Sequence, residues 1–190
     1  MRRVSTSYLL TCAVIGVAGG LLLAPANWLS TVFFAAVPFA SVAVAGLWLL
    51  PAVVALRLLQ RPGAGLLVGL ISGIVLVPFS GYGFTSVLTN LWWAFFAEVA
   101  FLVVLYRFWT LAQHYAGAVL VGIVYPVLSA QSFDLASMTT GAQVGFFALT
   151  MASAIAGTAL GIAVVAGMRR AGVNPAARRT PRPVPAAATE

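Results

Sequence analysis

The sequence predicts an all-α integral membrane protein, a compact bundle of about six transmembrane helices with both termini in the cytoplasm. Three observations carry this prediction: the composition, the length of the apolar runs and the placement of the arginines. Of 190 residues, 62% are hydrophobic and only 7% are charged, whereas a soluble domain carries about 25% charged residues. A water-soluble fold of this composition would expose more apolar surface than a monomer tolerates.

The apolar runs are long enough to cross a bilayer about six times. Each crossing takes about 20 apolar residues, and the mean hydropathy is +1.06. The predicted spans lie at roughly 7–23, 42–59, 63–79, 86–106, 115–131 and 142–167. The predicted organisation is therefore a membrane domain over 1–170, followed by a disordered cytosolic tail or linker over 171–190.

All ten basic residues are arginines, and they occur only before the first span, in alternate links and after the last span. They lie at positions 2, 3, 57, 61, 107, 169, 170, 178, 179 and 182. Because positive charge is retained in the cytoplasm, this side is predicted to be cytoplasmic. The net charge of +7 therefore indicates membrane orientation and contact with anionic lipid, not nucleic-acid binding.

The segment 24–41 is apolar but interrupted by Pro25, Asn27 and Pro38. We predict a loop or short helix that caps the bundle at the outer membrane surface, where Trp28 would join the aromatic belt. The alternative is a seventh, partly re-entrant span.

Small residues recur at helical spacing in the first span, where Cys12, Gly16 and Gly20 are four residues apart. In lipid, small residues allow helix backbones to approach closely. The row therefore packs inside the bundle or forms a docking face for a partner membrane protein.

Glu98 is the clearest ionisable residue within a predicted span, near the middle of the membrane. Such groups are costly in lipid and are usually functional. Three interpretations remain open for it: structural hydrogen bonding, contact with a ligand, and proton coupling.

Aromatic and polar side chains collect toward the outer ends of the predicted spans. A pocket with aromatic walls and a few amides suits a flat heteroaromatic ligand, particularly a cation. The candidate substrate-binding residues are Asn27, Trp28, Trp48, Tyr82, Asn90, Trp93, Glu98, Tyr125, Gln131, Asp134 and Gln143.

The sequence contains no Walker A loop, no H-E-x-x-H motif and no Cys/His metal cluster. The prediction is a binding protein without catalytic residues, metal site or cofactor. Any ATP hydrolysis that drives transport would then belong to another subunit.

Four fragments resemble the YkoE family of substrate-binding S subunits of energy-coupling factor (ECF) vitamin transporters. They are GLWLLP at 46–51, RPGA at 61–64, AEVAF at 97–101 and YRFW at 106–109. The resemblance implies a six-helix subunit that binds thiamine or its hydroxymethylpyrimidine precursor from outside, in the plasma membrane of a prokaryote. It also implies a coupling transmembrane subunit and a pair of ABC-type ATPases as partners.

The same resemblance implies that the row Cys12, Gly16 and Gly20 docks onto the coupling subunit. Glu98 and Asp134 would offset the positive charge of the vitamin. Three alternatives remain: an S subunit for another small vitamin-like ligand, a structural or assembly membrane protein without a ligand, and a membrane-embedded enzyme that uses Glu98.

Overall fold

The computed structural model describes residues 5–173, without the side chains of residues 35 and 36, and is helical throughout its core. The helices are α1 (Thr6–Ala36), α2 (Pro38–Ala43), α3 (Leu50–Leu59), α4 (Ala64–Leu76), α5 (Thr85–Val103), α6 (Leu111–Leu128) and α7 (Thr140–Arg170). Short 3₁₀ segments lie at Ala45–Leu49, Val77–Phe79 and Leu135–Ser137. The predicted all-α membrane fold is confirmed.

Within the described chain, five helical segments are long and apolar enough to cross a membrane. They are Thr6–Phe34, Pro38–Leu59, Thr85–Val103, Leu111–Leu128 and Thr140–Arg170. A sixth apolar segment, Ala64–Phe79, is shorter. Most of the predicted tail lies outside the described residues, and so do the arginines at positions 2, 3, 178, 179 and 182.

The prediction of a surface capping segment at 24–41 is wrong for most of its length, because α1 continues through Pro25 to Ala36. Proline removes one backbone donor, but in lipid the remaining backbone groups still have to be paired within a helix. The break comes instead at Val37, whose backbone (φ −145°, ψ 85°) is not helical and precedes Pro38. Proline disfavours the helical conformation for the residue before it, and Pro38 then starts α2.

Contacts at the two ends of the bundle show which termini and links lie together. At one end, the Arg61 guanidinium lies 5.1 Å from the centroid of the Tyr8 ring, and Arg169 Nη2 donates to the Arg57 carbonyl at 2.9 Å. At the other end, the Phe34 and Phe133 rings are 4.7 Å apart. The start of α1, the α3–α4 link and the end of α7 thus share one end, which the positive-inside pattern predicts to be cytoplasmic.

A close crossing joins the 3₁₀ segment Ala45–Leu49 to α7. Ser153 Oγ accepts a hydrogen bond from Gly46 N–H at 2.9 Å and donates to the Ala43 carbonyl at 2.8 Å. A Cβ added at Gly46 would overlap the Ser153 carbonyl, and one at Gly157 would overlap the Gly46 carbonyl. Only glycine permits this backbone contact, which holds Trp48 at its place in the bundle.

The row Cys12, Gly16 and Gly20 lies in the contact between α1 and α4. Cys12 is fully buried, and a Cβ at Gly16 or Gly20 would fall within 3 Å of Ile71 or Ser72. This position corrects the expectation that the row is exposed to a docking partner, and it matches the internal-packing alternative. The outward face of α1 carries larger apolar side chains instead, among them Val14 and Leu22.

Candidate functional site

A cavity of about 280 Å³ opens at the end of the bundle opposite the arginines. Small-molecule sites typically measure roughly 300–1,000 Å³, so this one suits a small ligand. Its lining comprises Asn27, Ser30, Phe34, Ser41, Ala45, Trp48, Leu76, Tyr82, Thr85, Ser86, Thr89, Asn90, Trp93 and Tyr125. All of these side chains are uncharged, and none of them is a carboxylate, imidazole or thiol.

The aromatic wall of the cavity consists of Trp48, Trp93 and Tyr125. The ring centroids of Trp48 and Trp93 are 6.5 Å apart, those of Trp93 and Tyr125 are 5.0 Å apart, and each pair is tilted by 34°. Trp92 packs edge-on against Trp93 at 5.1 Å. Trp93 is buried, so this ring is held by its neighbours and offers a fixed face to a flat ligand.

The polar wall is built from helix α5 and its neighbour α4. Asn90 Nδ2 donates to the Ser86 carbonyl at 2.9 Å, and its Oδ1 accepts from Ser72 Oγ at 3.3 Å. These bonds fix the orientation of the Asn90 amide. Ser86 Oγ in turn donates to Ser80 Oγ at 2.6 Å, in the link between α4 and α5.

Asn27 contributes the second amide, from the part of α1 that follows Pro25. Its side chain is buried, and its Oδ1 has no hydrogen-bond partner among the described residues. An unpaired buried carbonyl oxygen costs about 1–3 kcal/mol. A ligand donor at this wall would remove that cost.

Six predicted site residues meet in the cavity: Asn27, Trp48, Tyr82, Asn90, Trp93 and Tyr125. The structure does not bring the other five there. Trp28 is 59% exposed on the outer surface of α1, as an interfacial anchor would be. Gln131 and Asp134 are exposed in the link between α6 and α7, and Gln143 donates to the Leu135 and Met138 carbonyls, which secures that link.

Glu98 lies away from the cavity, near the end of the bundle that carries the arginines. Its carboxylate accepts hydrogen bonds from Gly63 N–H at 2.5 Å, Leu66 N–H at 3.0 Å and the Tyr106 hydroxyl at 3.0 Å. The first two are among the free N–H groups at the start of α4, which favour a negative charge. The carboxylate thus ties α5 to the α3–α4 link.

Helix α5 ends sooner after Glu98 than the predicted span 86–106 does, and this corrects the expectation that Glu98 lies near mid-membrane. The helix stops at Val103, because Leu105 and Tyr106 adopt positive φ values of 52° and 56°. Glu98 is then five residues, or about 8 Å, from the helix end. Burial and the negative charge of Glu98 raise the pKa of Tyr106 to about 12, so Tyr106 stays protonated and remains a donor.

Sequence reasoning missed several hydroxyl-bearing residues of the lining, including Ser30, Ser41, Ser86 and Thr89. Helical spacing indicates some of these residues as neighbours of the predicted site residues. Ser86, Asn90 and Trp93 follow at intervals of four and three residues, which places them on one face of α5. Ser30 shares a face with Asn27 in the same way, but only if the segment after Pro25 is read as helix.

Metal-binding chemistry is sparse in this chain. Between residues 5 and 173, no group of three or more His, Cys, Asp or Glu side chains could hold a metal ion. The cavity lining offers amide, hydroxyl and aromatic groups only.

Comparisons with known proteins give one family and one fold. Residues 8–124 match the family described as "ABC-type cobalt transport system, permease component". The fold is similar to that of a crystal structure of an S-component of an ECF transporter, with a TM-score of 0.80 and 18% sequence identity, over 90% of this chain and 88% of that chain. No curated protein sequence matches the chain.

Proposed function

The chain belongs to the family of permease components of ABC-type cobalt transport systems, and from this membership and its fold we propose that it is the substrate-capture subunit of an ECF importer. We propose a small flat heteroaromatic ligand, thiamine or its hydroxymethylpyrimidine precursor, taken up from outside the plasma membrane of a prokaryote. The observation that carries the proposal is the uncharged cavity with its aromatic wall of Trp48, Trp93 and Tyr125.

The cavity supports a heteroaromatic ligand through two complementary surfaces. Indole and phenol rings stack on a flat ring, and base–aromatic stacking in proteins that bind single-stranded nucleic acid is worth about 1–3 kcal/mol per base. The Asn27 and Asn90 amides lie at the wall and offer both donors and acceptors to a pyrimidine edge. With no carboxylate in the lining, a cationic ring would rely on the aromatic faces for charge stabilisation.

The family description names cobalt, and the cavity chemistry bears on that substrate directly. Divalent first-row metals are held by imidazole, thiolate and carboxylate groups. None of these groups is present in the cavity lining. An organic ligand therefore fits the cavity better than a bare cobalt ion does.

The proposed partners are a coupling transmembrane subunit and ABC-type ATPases, which would supply ATP hydrolysis. An apolar groove of about 500 Å³ runs between α1, α3 and α7, with Val14, Ala18 and Leu22 along its α1 side. Because the row Cys12, Gly16 and Gly20 is occupied by α4, we propose this outward face of α1 for the coupling subunit.

Ligand binding can be tested by tryptophan fluorescence of the purified protein, titrated with hydroxymethylpyrimidine, thiamine or cobalt chloride. The pyrimidine ligands are expected to change the emission at saturating concentrations, because Trp48 and Trp93 line the cavity. Trp93→Ala should weaken binding roughly 10- to 100-fold through the loss of stacking. Trp28→Ala is the matched control, since Trp28 lies outside the cavity, and should leave the Kd unchanged.

Two results would contradict the proposal. Saturable cobalt binding without any response to either pyrimidine ligand would identify the metal ion as the substrate. Equal losses of affinity in Trp93→Ala and Trp28→Ala would show that the ligand does not bind in this cavity.

A further inference from the structure

A groove of about 360 Å³ lies beside the cavity, between α5 and the outer end of α6. Its own walls are Leu88, Trp92 and Leu128, with the hydroxyls of Ser129 and Ser132 at one end. Three further side chains, Thr89, Trp93 and Tyr125, line both the groove and the cavity. These three side chains form the partition between the two spaces.

Of the two aromatic rings in this partition, Tyr125 is held less firmly than Trp93. Trp93 is buried between Trp48 and Trp92, with ring centroids at 6.5 and 5.1 Å. Tyr125 is only partly buried and packs against Trp92, Trp93 and Phe133 at 5.9, 5.0 and 6.5 Å.

The backbone beside Tyr125 is weakened as well. Pro126 lies inside α6 and has no N–H to donate to the carbonyl of Gly122, so one helical hydrogen bond is missing at this turn. A shift of the outer turn of α6 would carry Tyr125 with it and leave Trp93 in place.

We propose that Tyr125 determines the length of the ligand. With the Tyr125 ring in place, the cavity of about 280 Å³ favours a ligand of one ring over a longer one. Removal of the ring joins the cavity to the groove and admits a ligand of two parts. This inference rests on the proposed function, because it concerns the same cavity.

The groove also indicates what the second part of such a ligand would be. Leu88, Trp92 and Leu128 provide an apolar and aromatic surface, and Ser129 and Ser132 provide hydroxyls at its end. A second ring, neutral or cationic, with a terminal hydroxyl fits these walls, since an indole face accepts a cation. Thiamine has this two-part form, and hydroxymethylpyrimidine is its single-ring counterpart.

The test compares the affinities of hydroxymethylpyrimidine and thiamine by calorimetry. The wild-type protein should prefer hydroxymethylpyrimidine. In Tyr125→Ala the preference should shift toward thiamine by roughly tenfold, because about 60 Å² of additional apolar surface becomes available for burial. Tyr125→Phe keeps the ring and serves as the matched control, with an unchanged preference.

A second variant checks that the gain comes from the groove. Ser129→Trp, combined with Tyr125→Ala, fills the groove and should restore the wild-type preference. An unchanged ratio of the two affinities in Tyr125→Ala would overturn the inference, and so would a shift that persists when Ser129 is replaced by Trp.

A measurement without these ligands separates failure of this inference from failure of the proposed function. In a Cys12→Ala background, Ser30→Cys places a thiol in the cavity wall, and its labelling rates are measured with N-ethylmaleimide and with the bulkier N-pyrenylmaleimide. Tyr125→Ala should raise the pyrenyl-to-ethyl rate ratio roughly tenfold, by opening the partition, and Tyr125→Phe should not. An unchanged rate ratio overturns the inference that Tyr125 separates the cavity from the groove, whatever the natural ligand is.

Discussion

Glu98→Ala is expected to lower the free energy of unfolding by about 3–5 kcal/mol, while the folded fraction keeps its ligand affinity to within about twofold. The substitution leaves Gly63 N–H, Leu66 N–H and the Tyr106 hydroxyl without their acceptor. Glu98 is only 2% exposed, so water cannot easily take its place. The affinity is unaffected because the carboxylate does not line the cavity.

The measurement is thermal and denaturant unfolding of the detergent-solubilised protein, together with the Kd of the ligand at a temperature where each variant is folded. Two milder variants test whether the loss of stability follows the number of hydrogen bonds that are lost. Tyr106→Phe removes one of the three hydrogen bonds and should cost about 1.5–3 kcal/mol, as hydrogen bonds to charged groups do. Glu98→Gln keeps the shape but turns one acceptor into a donor, and should fall between Tyr106→Phe and Glu98→Ala.

Unchanged stability with a large loss of affinity in Glu98→Ala would contradict this assignment. That result would return Glu98 to the ligand-binding role that the sequence left open. A proportional loss of stability and of ligand affinity in Glu98→Ala would show that the α3–α4 link and the cavity are mechanically coupled.

Gly157→Ala is expected to destabilise the protein by about 3 kcal/mol or more. A Cβ at residue 157 would overlap the carbonyl and Cα of Gly46 on the 3₁₀ segment Ala45–Leu49. These are backbone atoms that no rotamer change can move away. The segment would be displaced from α7, the bonds of Ser153 to Gly46 and Ala43 would be lost, and Trp48 would leave its place in the cavity wall.

Gly167→Ala, on the same helix, is the matched control. A Cβ at residue 167 would meet nothing within 4 Å, so this variant should be stabilised by about 0.5–1 kcal/mol through the helix preference of alanine. Differential scanning fluorimetry of both variants measures the two effects with opposite sign. Similar melting temperatures would show that the crossing of Gly46 and Gly157 is loose enough to accept a methyl group.

The candidate site could be predicted in part because its residue types are unusual for a membrane helix. Asn27, Asn90 and Trp93 stood out as amide and aromatic groups near the outer ends of apolar runs, and all three line the cavity. Gln131, Asp134 and Gln143 stood out for the same reason but lie in or near a link outside it. Residue type and depth indicate neither where a helix ends nor which carbonyls an amide meets: α6 ends at Leu128, before Gln131 and Asp134, and Gln143 is bonded to the link.

The sequence by itself determined the fold class and the approximate position of each long apolar helix. These properties are local, since the bilayer selects each helix by its apolar length and each link by its charge. The passage of α1 through Pro25 to Ala36 depended on the tertiary structure. So did the burial of the Cys12–Gly16–Gly20 row against α4 and the binding of the Glu98 carboxylate at the start of α4. Each of these depends on which helices are neighbours and how they are rotated, and contacts between residues far apart in the chain decide that.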